Sequence, residues 1–276
     1  MASHTQGNDR KKDHRRGGET WSPAPDRERG QGRRRERPDP HAADWLWGWH
    51  PVSAALGNAN RPDPERVIAT AARAGQLKSI RPALEIDVLE TADFARVLPS
   101  AAVHQGVAMR VAPPLPQSLD ALAEAPGRFL VMLDQVTDPQ NIGAIFRSAA
   151  AFGARGLILQ DRHAPALGGA LAKAAAGAID AIPHARETNL SRALERLDEL
   201  GWRAVALDGT AEDTLEATLD SRPTVLVLGA EGEGVRRLVR EHCDASARIP
   251  MPGGFESLNV SAAAAVAFYE ASRVRA

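Results

Sequence analysis

Cysteine and aromatic residues are scarce in this chain of 276 residues. The single cysteine, Cys243, excludes an internal disulfide and any zinc site built on cysteines. The eight histidines include no pair at metal-ligand spacing, so we expect no metal ion. Aromatic residues make up only 4% of the chain while alanine is abundant, which favours helices that pack closely through small side chains.

Long apolar runs are also missing. No run approaches the roughly 18 residues that span a bilayer, and the N-terminus lacks the apolar core of a secretory signal. The sequence therefore predicts a soluble protein of the cytoplasm that does not contact a membrane. The length and the 43% of hydrophobic residues are sufficient for one large domain or two small ones.

The formal net charge of −1 hides an uneven distribution along the chain. Residues 1–40 hold eleven Lys and Arg against seven Asp and Glu, a balance of +4, so the remainder carries about −5. Almost nothing in this basic segment can enter a core, and we predict a disordered tail over residues 1–43. The run Arg33–Arg35 either contacts RNA phosphates or belongs to a solvated tail that aids solubility.

Residues 44–112 predict a small α/β unit. Trp45, Trp47 and Trp49 alternate as in a strand and lead into a short helix over residues 52–56. Further strands are predicted at 86–89 and 104–111 with a helix near 92–98, whereas 66–74 has apolar residues at both strand and helix spacings. The Pro-rich segment that follows, residues 113–127, is predicted to be a linker.

From residue 128 to residue 276, strand and helix patterns alternate. Such alternation predicts a mostly parallel sheet covered by helices on both faces. Strands are expected at 129–133, 156–159, 203–207, 224–228 and 248–249. Helices are expected at 142–152, 171–178, 189–200, 235–242 and 258–273. Asn189 or Ser191 is the expected cap of the third of these helices.

Three segments place polar groups or glycines directly after buried strands, which is where open α/β sheets usually bind ligands. In the first, Asn141 lies where a helix N-cap is expected, and capping alone would explain it. Arg147 interrupts a helix face of apolar and small residues, where a simply buried cation would be unfavourable. Arg147 therefore either faces a cleft or an anion, or forms a structural ion pair.

The second segment, Val225–Val235, ends a strand in alternating glycines, which let the backbone approach a ligand closely. By itself it is either a ligand loop or a glycine-rich turn. Its glycine spacing is not that of a dinucleotide-binding fingerprint, which disfavours an oxidoreductase. In the third segment, Ser257, Asn259 and Ser261 offer neutral hydrogen-bonding groups at a helix start. Capping accounts for one of the three, and the set suits a polar cofactor of low net charge better than a triphosphate.

Taken together and in this order, the three segments resemble the three motifs of the SpoU (TrmH, or SPOUT) family of RNA methyltransferases. The matching residues are Asn141-x-Gly143-x-x-x-Arg147, Gly229-Ala230-Glu231-Gly232-x-Gly234, and Ile249-Pro250-Met251 with Ser257-Leu258-Asn259-Val260-Ser261. Residues 48–52, 103–107 and 236–244 resemble the guanosine-2′-O-methyltransferases that act on 23S ribosomal RNA. Phe255 and Glu256 depart from the small polar residues typical of the third motif.

The resemblance implies a fold and a cofactor. Residues 44–112 would be an RNA-binding domain related to the ribosomal protein L30e fold, and residues 128–276 an α/β domain with a deep trefoil knot. The implied assembly is a homodimer whose active site takes residues from both subunits, and the implied cofactor is S-adenosylmethionine. Cofactor contacts carry over to Gly229, Ile249 and Leu258. Neighbouring candidates are Ala230, Glu231, Gly232, Met251, Ser257 and Asn259.

The implied activity is methylation of a ribose 2′-hydroxyl, on a guanosine of 23S ribosomal RNA. The catalytic candidates are Asn141, Arg147, Glu231, Ser257 and Asn259. Arg147 would anchor the adjacent phosphate and stabilise the charge that develops on the 2′-oxygen. Because arginine keeps its proton near neutral pH, a water molecule or the substrate phosphate is the better proton acceptor. Glu231 is either an organiser of the site or a base.

Other readings of the sequence stay open at this point. A transfer-RNA 2′-O-methyltransferase of the same family would share the chemistry, and a noncatalytic RNA-binding or assembly factor would share only the fold. The small domain is expected to recognise RNA by shape and by unpaired loop bases. His104, Gln105 and the tryptophans are candidates for that contact, although the tryptophans are better explained as core residues.

Overall fold

The computed structural model describes residues 45–99, 101–125, 127–162, 164–255 and 257–274. The strands are β1 (Trp45–Trp47), β2 (Arg66–Ala69), β3 (Asp87–Val88), β4 (Val107–Arg110), β5 (Phe129–Asp134), β6 (Gly156–Gln160), β7 (His184–Glu187), β8 (Arg203–Leu207), β9 (Thr224–Gly229) and β10 (Ala245–Ala247). The helices are α1 (Trp49–Gly57), α2 (Ala71–Ile80), α3 (Leu119–Glu124), α4 (Pro139–Ala151), α5 (Gly169–Ala175), α6 (Ala178–Ala181), α7 (Leu190–Glu199), α8 (Leu215–Thr218), α9 (Arg237–Arg240) and α10 (Val260–Arg273), with a 3₁₀ helix at Thr91–Arg96. The predicted tail at residues 1–43, its Arg33–Arg35 run and Glu256 lie outside the described residues.

The first sheet has the strand order β1-β4-β2-β3. Strand β4 runs antiparallel to β1 and β2, while β2 and β3 are parallel. Trp45 and Trp47 are buried against Phe94, so their prediction as core residues is confirmed. Trp49 does not continue the strand but opens α1, because Gly48 turns the chain with a φ of 93°, which is unfavourable for other residues.

The second sheet has the order β10-β8-β9-β5-β6-β7, and every neighbouring pair in it is parallel, as the alternating pattern predicted. Alternate side chains of the central strand β5 point to opposite faces. Val131 belongs to the apolar cluster of α4 and α10, whereas Met132 belongs to the cluster of α3, α7 and α9. The domain of the second sheet is therefore a three-layer α/β arrangement with its core on both faces of the sheet.

A buried ion pair joins the first sheet's domain to the second. The Arg61 guanidinium donates to both carboxylate oxygens of Asp180 at 2.6 and 2.7 Å, and both side chains are 3% exposed. Asn58 donates to the same carboxylate at 3.1 Å, and the Arg61 Nε donates to the carbonyl of Ala112 at 3.1 Å. Asp180 on α6 thus holds the loop after α1 and the start of the connecting segment in one place.

Several predicted boundaries are wrong. Helix α4 begins at Pro139 rather than 142, and its N-cap is Asp138, whose carboxylate accepts from the Gln140 and Asn141 backbone amides at 3.2 and 3.3 Å. Asn141 is therefore not the cap, because an acceptor followed by proline at the first helical position is a stronger helix start. The N-cap of α7 is Asn189, one of its two predicted caps.

Two further differences concern helix continuity and the last strand. The helix predicted at 171–178 is divided into α5 and α6, because Ala176 and Gly177 adopt left-handed φ values of 51° and 97°. The last strand is Ala245–Ala247 and not Arg248–Ile249. The Arg248 backbone instead bonds with Asp213 and Leu215, which draws it away from β8.

Among the described residues, no helix is both long and apolar enough to cross a membrane.

The buried pair provides a stability test. In Asp180→Asn, Arg61 keeps its charge but loses its counter-ion in a buried place, so we expect a loss of about 3 kcal/mol in the free energy of unfolding. Urea unfolding followed by circular dichroism measures this. The matched control is Asp87→Asn, in the exposed pair with Arg66, which should cost less than about 1 kcal/mol. Equal losses in the two variants would contradict the role given to the Arg61–Asp180 pair.

Candidate functional site

The three segments singled out in the sequence meet at one edge of the second sheet. Asp134 ends β5 and is the register partner of Gly229, which ends the neighbouring parallel strand β9. The third segment follows β10, which is parallel to β8 in the same sheet. Because parallel strands present their carboxyl ends at a common edge, the loops after these strands are neighbours.

A hydrogen-bonded network connects one side chain from each segment. The Asn141 side-chain amide donates to Glu231 Oε1 at 3.1 Å. The Asn259 side-chain amide donates to the same oxygen at 2.6 Å and to Asn141 Oδ1 at 3.0 Å. The backbone amide of Val260 also points to Glu231 Oε1, at 3.4 Å. We call Asn141, Glu231 and Asn259 the Asn–Glu–Asn network, and it brings together three of the predicted site residues.

Asn259 links this network to the start of the last helix. As the N-cap of α10, its Oδ1 accepts from the backbone amide and the hydroxyl of Ser261 at 3.0 and 2.6 Å. Its side-chain nitrogen remains for the bonds to Asn141 and Glu231. Capping and site building are therefore done by the same side chain, and the position of the network depends on where α10 begins.

The glycine-rich loop closes on itself. Its ends are joined by a bridge in which the Gly234 amide donates to the Ala230 carbonyl at 2.9 Å. A β-carbon at Gly229 would overlap the backbone of Gly234 and Val235, so only glycine fits there. The glycine at 229 thus lets the backbone of residues 234 and 235 lie directly against it. This requirement for glycine is structural and does not depend on a ligand.

An ionic anchor that sequence reasoning missed holds the far end of this loop. Asp134 is fully buried, and its carboxylate accepts from the Arg236 backbone amide at 2.9 Å and from the Arg236 guanidinium at 2.7 and 2.8 Å. The signal available in the sequence was an aspartate directly after five apolar strand residues. A carboxylate placed there needs a partner when it is buried.

Arg147 does not join the network within this chain. It lies six residues after Asn141 on α4, which turns its side chain about 120° away around the helix. It is exposed and makes no hydrogen bond or ion pair with any described residue. The structural ion pair considered for Arg147 is thus not formed within the described part of the chain.

The remaining candidates lie on the loops around the network. Ser257 and Leu258 are exposed, and Leu258 keeps 41% of its surface accessible. Ile249 and Met251 are half-buried. Ala230 is half-buried and Gly232 is exposed at the tip of the glycine-rich loop. Apolar side chains left accessible beside a glycine-rich loop suit a ligand with a planar apolar part.

The groups with large pKa shifts lie apart from the network. Burial and the nearby Arg186 lower the pKa of His184 to about 4, so this histidine is neutral at pH 7. Burial, with Asp244 and Asp134 nearby, raises the pKa of Cys243 to about 12, which leaves the thiol unreactive. Among the described residues, no group of three His, Cys, Asp or Glu side chains is arranged to hold a metal ion.

The role of Gly229 gives a direct test. Gly229→Ala places a methyl group on the backbone of residues 234 and 235, so we expect the loop to open and the free energy of unfolding to fall by at least about 2 kcal/mol. Gly253→Ala is the matched control, because a β-carbon at Gly253 meets no atom within 4 Å. Thermal unfolding of both variants measures the difference. Wild-type stability of Gly229→Ala would show that the loop does not need this close approach.

Comparison with known proteins gives related sequences. A family model described as the SpoU rRNA Methylase family matches residues 128–269, just over half of the chain. An uncharacterized tRNA/rRNA methyltransferase of Mycobacterium avium is 43% identical over 177 residues, which are 63% of this chain and 57% of that protein. A 23S rRNA (guanosine-2′-O-)-methyltransferase of Photorhabdus laumondii is 44% identical over 181 residues, 63% of this chain and 73% of that protein. The chain spans little more than half the length of the mycobacterial relatives that it matches.

Solved structures match over most of the chain. The SpoU methyltransferase AviRb of Streptomyces viridochromogenes, in complex with AdoMet, is 25% identical with a TM-score of 0.69, covering 83% of this chain and 89% of that one. An AdoMet-bound rRNA methyltransferase of Sinorhizobium meliloti is 26% identical with a TM-score of 0.69, covering 83% and 86%. The α/β fold class implied by the resemblance is confirmed. On the family model, its three motifs and this fold, the chain belongs to the SpoU rRNA methylase family.

Proposed function

We propose that this protein is an S-adenosylmethionine-dependent RNA methyltransferase that methylates a ribose 2′-hydroxyl, on a guanosine of 23S ribosomal RNA. The observation that carries the proposal is the Asn–Glu–Asn network, which joins the three family motifs at the carboxyl edge of the parallel sheet. The Photorhabdus relative, named for this activity, supports the choice of RNA and nucleoside. An RNA substrate of this kind places the enzyme in the cytoplasm.

The loops fit the proposed cofactor by their chemistry. Leu258, Ile249 and Met251 offer accessible apolar atoms for an adenine ring, while the backbone of the 229–234 loop offers polar groups for a ribose. Ser257 is exposed with its hydroxyl available. When bound there, S-adenosylmethionine supplies an electrophilic methyl group. The protein then has to position a 2′-oxygen in line with that group and accommodate the charge that develops.

Arg147 is the residue proposed to accommodate the charge that develops on the 2′-oxygen. Its guanidinium is accessible and has no described partner, so it is available for the substrate phosphate and for the developing 2′-oxyanion. Because arginine stays protonated, the 2′-hydroxyl proton passes to a water molecule or to the substrate phosphate. The bound cofactor would supply the methyl group to that oxygen and would be released as S-adenosylhomocysteine, while Arg147 stabilises the oxygen's charge.

Glu231 acts as a positioning residue in this proposal. Its Oε1 accepts from Asn141, Asn259 and the Val260 amide, so three donors hold the carboxylate in one place. The carboxylate fixes the relative places of the loop it lies on and the start of α10. Of the two alternatives, organiser and base, the proposal takes the organiser.

A homodimer would complete the site. Because Arg147 faces away from the network of its own chain, a second copy would bring its own Arg147 to that network. Helix α10 packs against α4 and leaves Val266 and Tyr269 exposed, at 39% and 49%, on its outer side. Apolar residues in such a position favour an interface between two copies.

The proposal is tested by methyl transfer from radiolabelled S-adenosylmethionine to purified, unmodified 23S ribosomal RNA and, separately, to transfer RNA, with nuclease mapping of the product. We expect label in a 2′-O-methylguanosine of 23S RNA. Label in transfer RNA alone would keep the chemistry and overturn the substrate, which is the alternative that the relatives named tRNA/rRNA methyltransferase leave open. Cofactor binding without label in any RNA would overturn the catalytic proposal.

Replacing the proposed catalytic arginine tests the mechanism. Arg147→Ala should lower kcat about 100- to 1,000-fold, as loss of an oxyanion-stabilising donor does elsewhere, and leave S-adenosylmethionine affinity within a few fold. Single-turnover methylation and calorimetric titration measure the two quantities. Arg192→Ala is the matched control, because Arg192 is an exposed arginine on α7 whose guanidinium has no described partner. Near-wild-type turnover by Arg147→Ala would remove Arg147 from the mechanism.

A further inference from the structure

A cleft of about 240 Å³ lies where the first sheet meets the second. Its walls are Trp47 of β1, Pro139 of α4, Ala166, and the segment Gly168–Leu171 at the start of α5. Trp47 Cη2 is 3.7 Å from the position that a β-carbon of Gly169 would take, so the edge of the indole lines the cleft although only 9% of the Trp47 surface is exposed. The walls are therefore apolar and include one aromatic edge.

The cleft adjoins the candidate active site. Pro139 is the first residue of α4, and Asn141 of the Asn–Glu–Asn network follows two residues later, about 3 Å along the helix axis. At about 240 Å³ the cleft is smaller than the roughly 300–1,000 Å³ of sites for drug-sized ligands. Its size and place suit a single planar group attached to the substrate rather than a separate large ligand.

Two cations lie beside Gly48 and Trp49, the residues that follow Trp47 in the chain. Lys173, one turn after Gly169 on α5, donates to the Val103 carbonyl at 3.0 Å, which leaves two of its three ammonium donors. The Arg73 guanidinium lies 4.9 Å from the centre of the Trp49 ring and donates to Gln76. Neither forms an ion pair with a described carboxylate. Arg73 is thus a cation without a described counter-ion beside the half-buried indole of Trp49, and cations beside aromatic rings are a combination that binds nucleotides.

The arginines elsewhere on the first sheet's domain behave differently. Arg66, Arg81, Arg96 and Arg110 each pair with an aspartate or a glutamate. Their charges are already compensated, so a polyanion gains less from contacting them. Arg73 differs from these four arginines because it has no described counter-ion, and it lies beside Trp49.

We propose that this junction is a nucleotide subsite: the cleft takes up one unstacked base of the substrate RNA, and Lys173 and Arg73 hold the phosphates beside it. The inference rests on the proposed function, because it assumes an RNA substrate at the network. Proteins that recognise RNA loops commonly stack splayed-out bases on aromatic rings. Here, binding a base between Trp47 and Pro139 would bring the ribose of an adjoining nucleotide to Asn141.

Filling the cleft tests the base site. Ala170 is exposed on the wall, so Ala170→Phe fills the space without disturbing a buried core, and Ala166, also exposed on the wall, allows the same test as Ala166→Phe. With the full-length protein and protein-free 23S ribosomal RNA as the probe, we expect Kd to rise about tenfold, the size of a lost stacked base. Ala217→Phe, an equally exposed alanine on α8, is the matched control and should bind as the wild type does.

The salt dependence of binding tests the phosphate contact. Lys173→Met keeps the length of the side chain and removes its charge, so the slope of log Kd against log salt should fall by about 0.7. A merely structural role for Lys173 would leave this slope unchanged. Lys78→Met, an exposed lysine on α2 without a described partner, controls for the overall charge.

The outcomes separate this inference from the proposed function. The subsite would be overturned by wild-type RNA affinity in both cleft-filling variants, or by a wild-type salt slope in Lys173→Met. The proposed function would stay intact in that case as long as the wild-type protein transfers methyl groups to RNA. If the wild type binds 23S RNA but transfers no methyl group, the proposed function fails on its own assay. The expected pair of results is weaker binding in Ala170→Phe and a smaller slope in Lys173→Met.

Discussion

A single carboxylate oxygen holds the candidate site together. Glu231 Oε1 accepts hydrogen bonds from Asn141 and Asn259 and from the Val260 amide, so the loops after β5, β9 and β10 share one anchor point. These loops are far apart in sequence, and only the parallel sheet brings their strand ends to one edge. The hydrogen bonds to that oxygen therefore fix the relative positions of the three loops that a ligand at this edge would contact.

The rest of the structure fixes the anchor in place. Gly229 admits the backbone of Gly234 and Val235, which folds the loop that carries Glu231 into a closed turn. The buried Asp134 then holds the end of the loop through Arg236. Preorganisation of this kind matters for a reaction that depends on positioning, since the free energy of ordering the loop is spent in folding rather than in binding.

The sequence predicted the parallel sheet and the residues of the network, because buried strands and family motifs leave strong local patterns. It did not predict the short edge strand β7, whose four residues His-Ala-Arg-Glu lack an apolar pattern, nor the Asp134–Arg236 pair, whose members lie 102 residues apart. It misplaced the cap of α4, because Asn141 and Asp138 are both good caps and the following proline decides between them. The direction of the Arg147 side chain relative to Asn141 could be inferred only once the structure had shown that α4 begins at Pro139 and includes both residues.

A double-mutant cycle on the network tests the central claim most directly. Asn141→Ala removes one member, and Asn259→Ser removes another while keeping a side chain that can cap α10. The affinity for S-adenosylmethionine, measured by calorimetry in the two single variants and the double variant, gives their coupling. Each single change should weaken binding about tenfold, and the double variant should be no weaker than the worse single, a coupling of about 1 kcal/mol or more. Additive losses, or unchanged affinity in the single variants, would contradict the account.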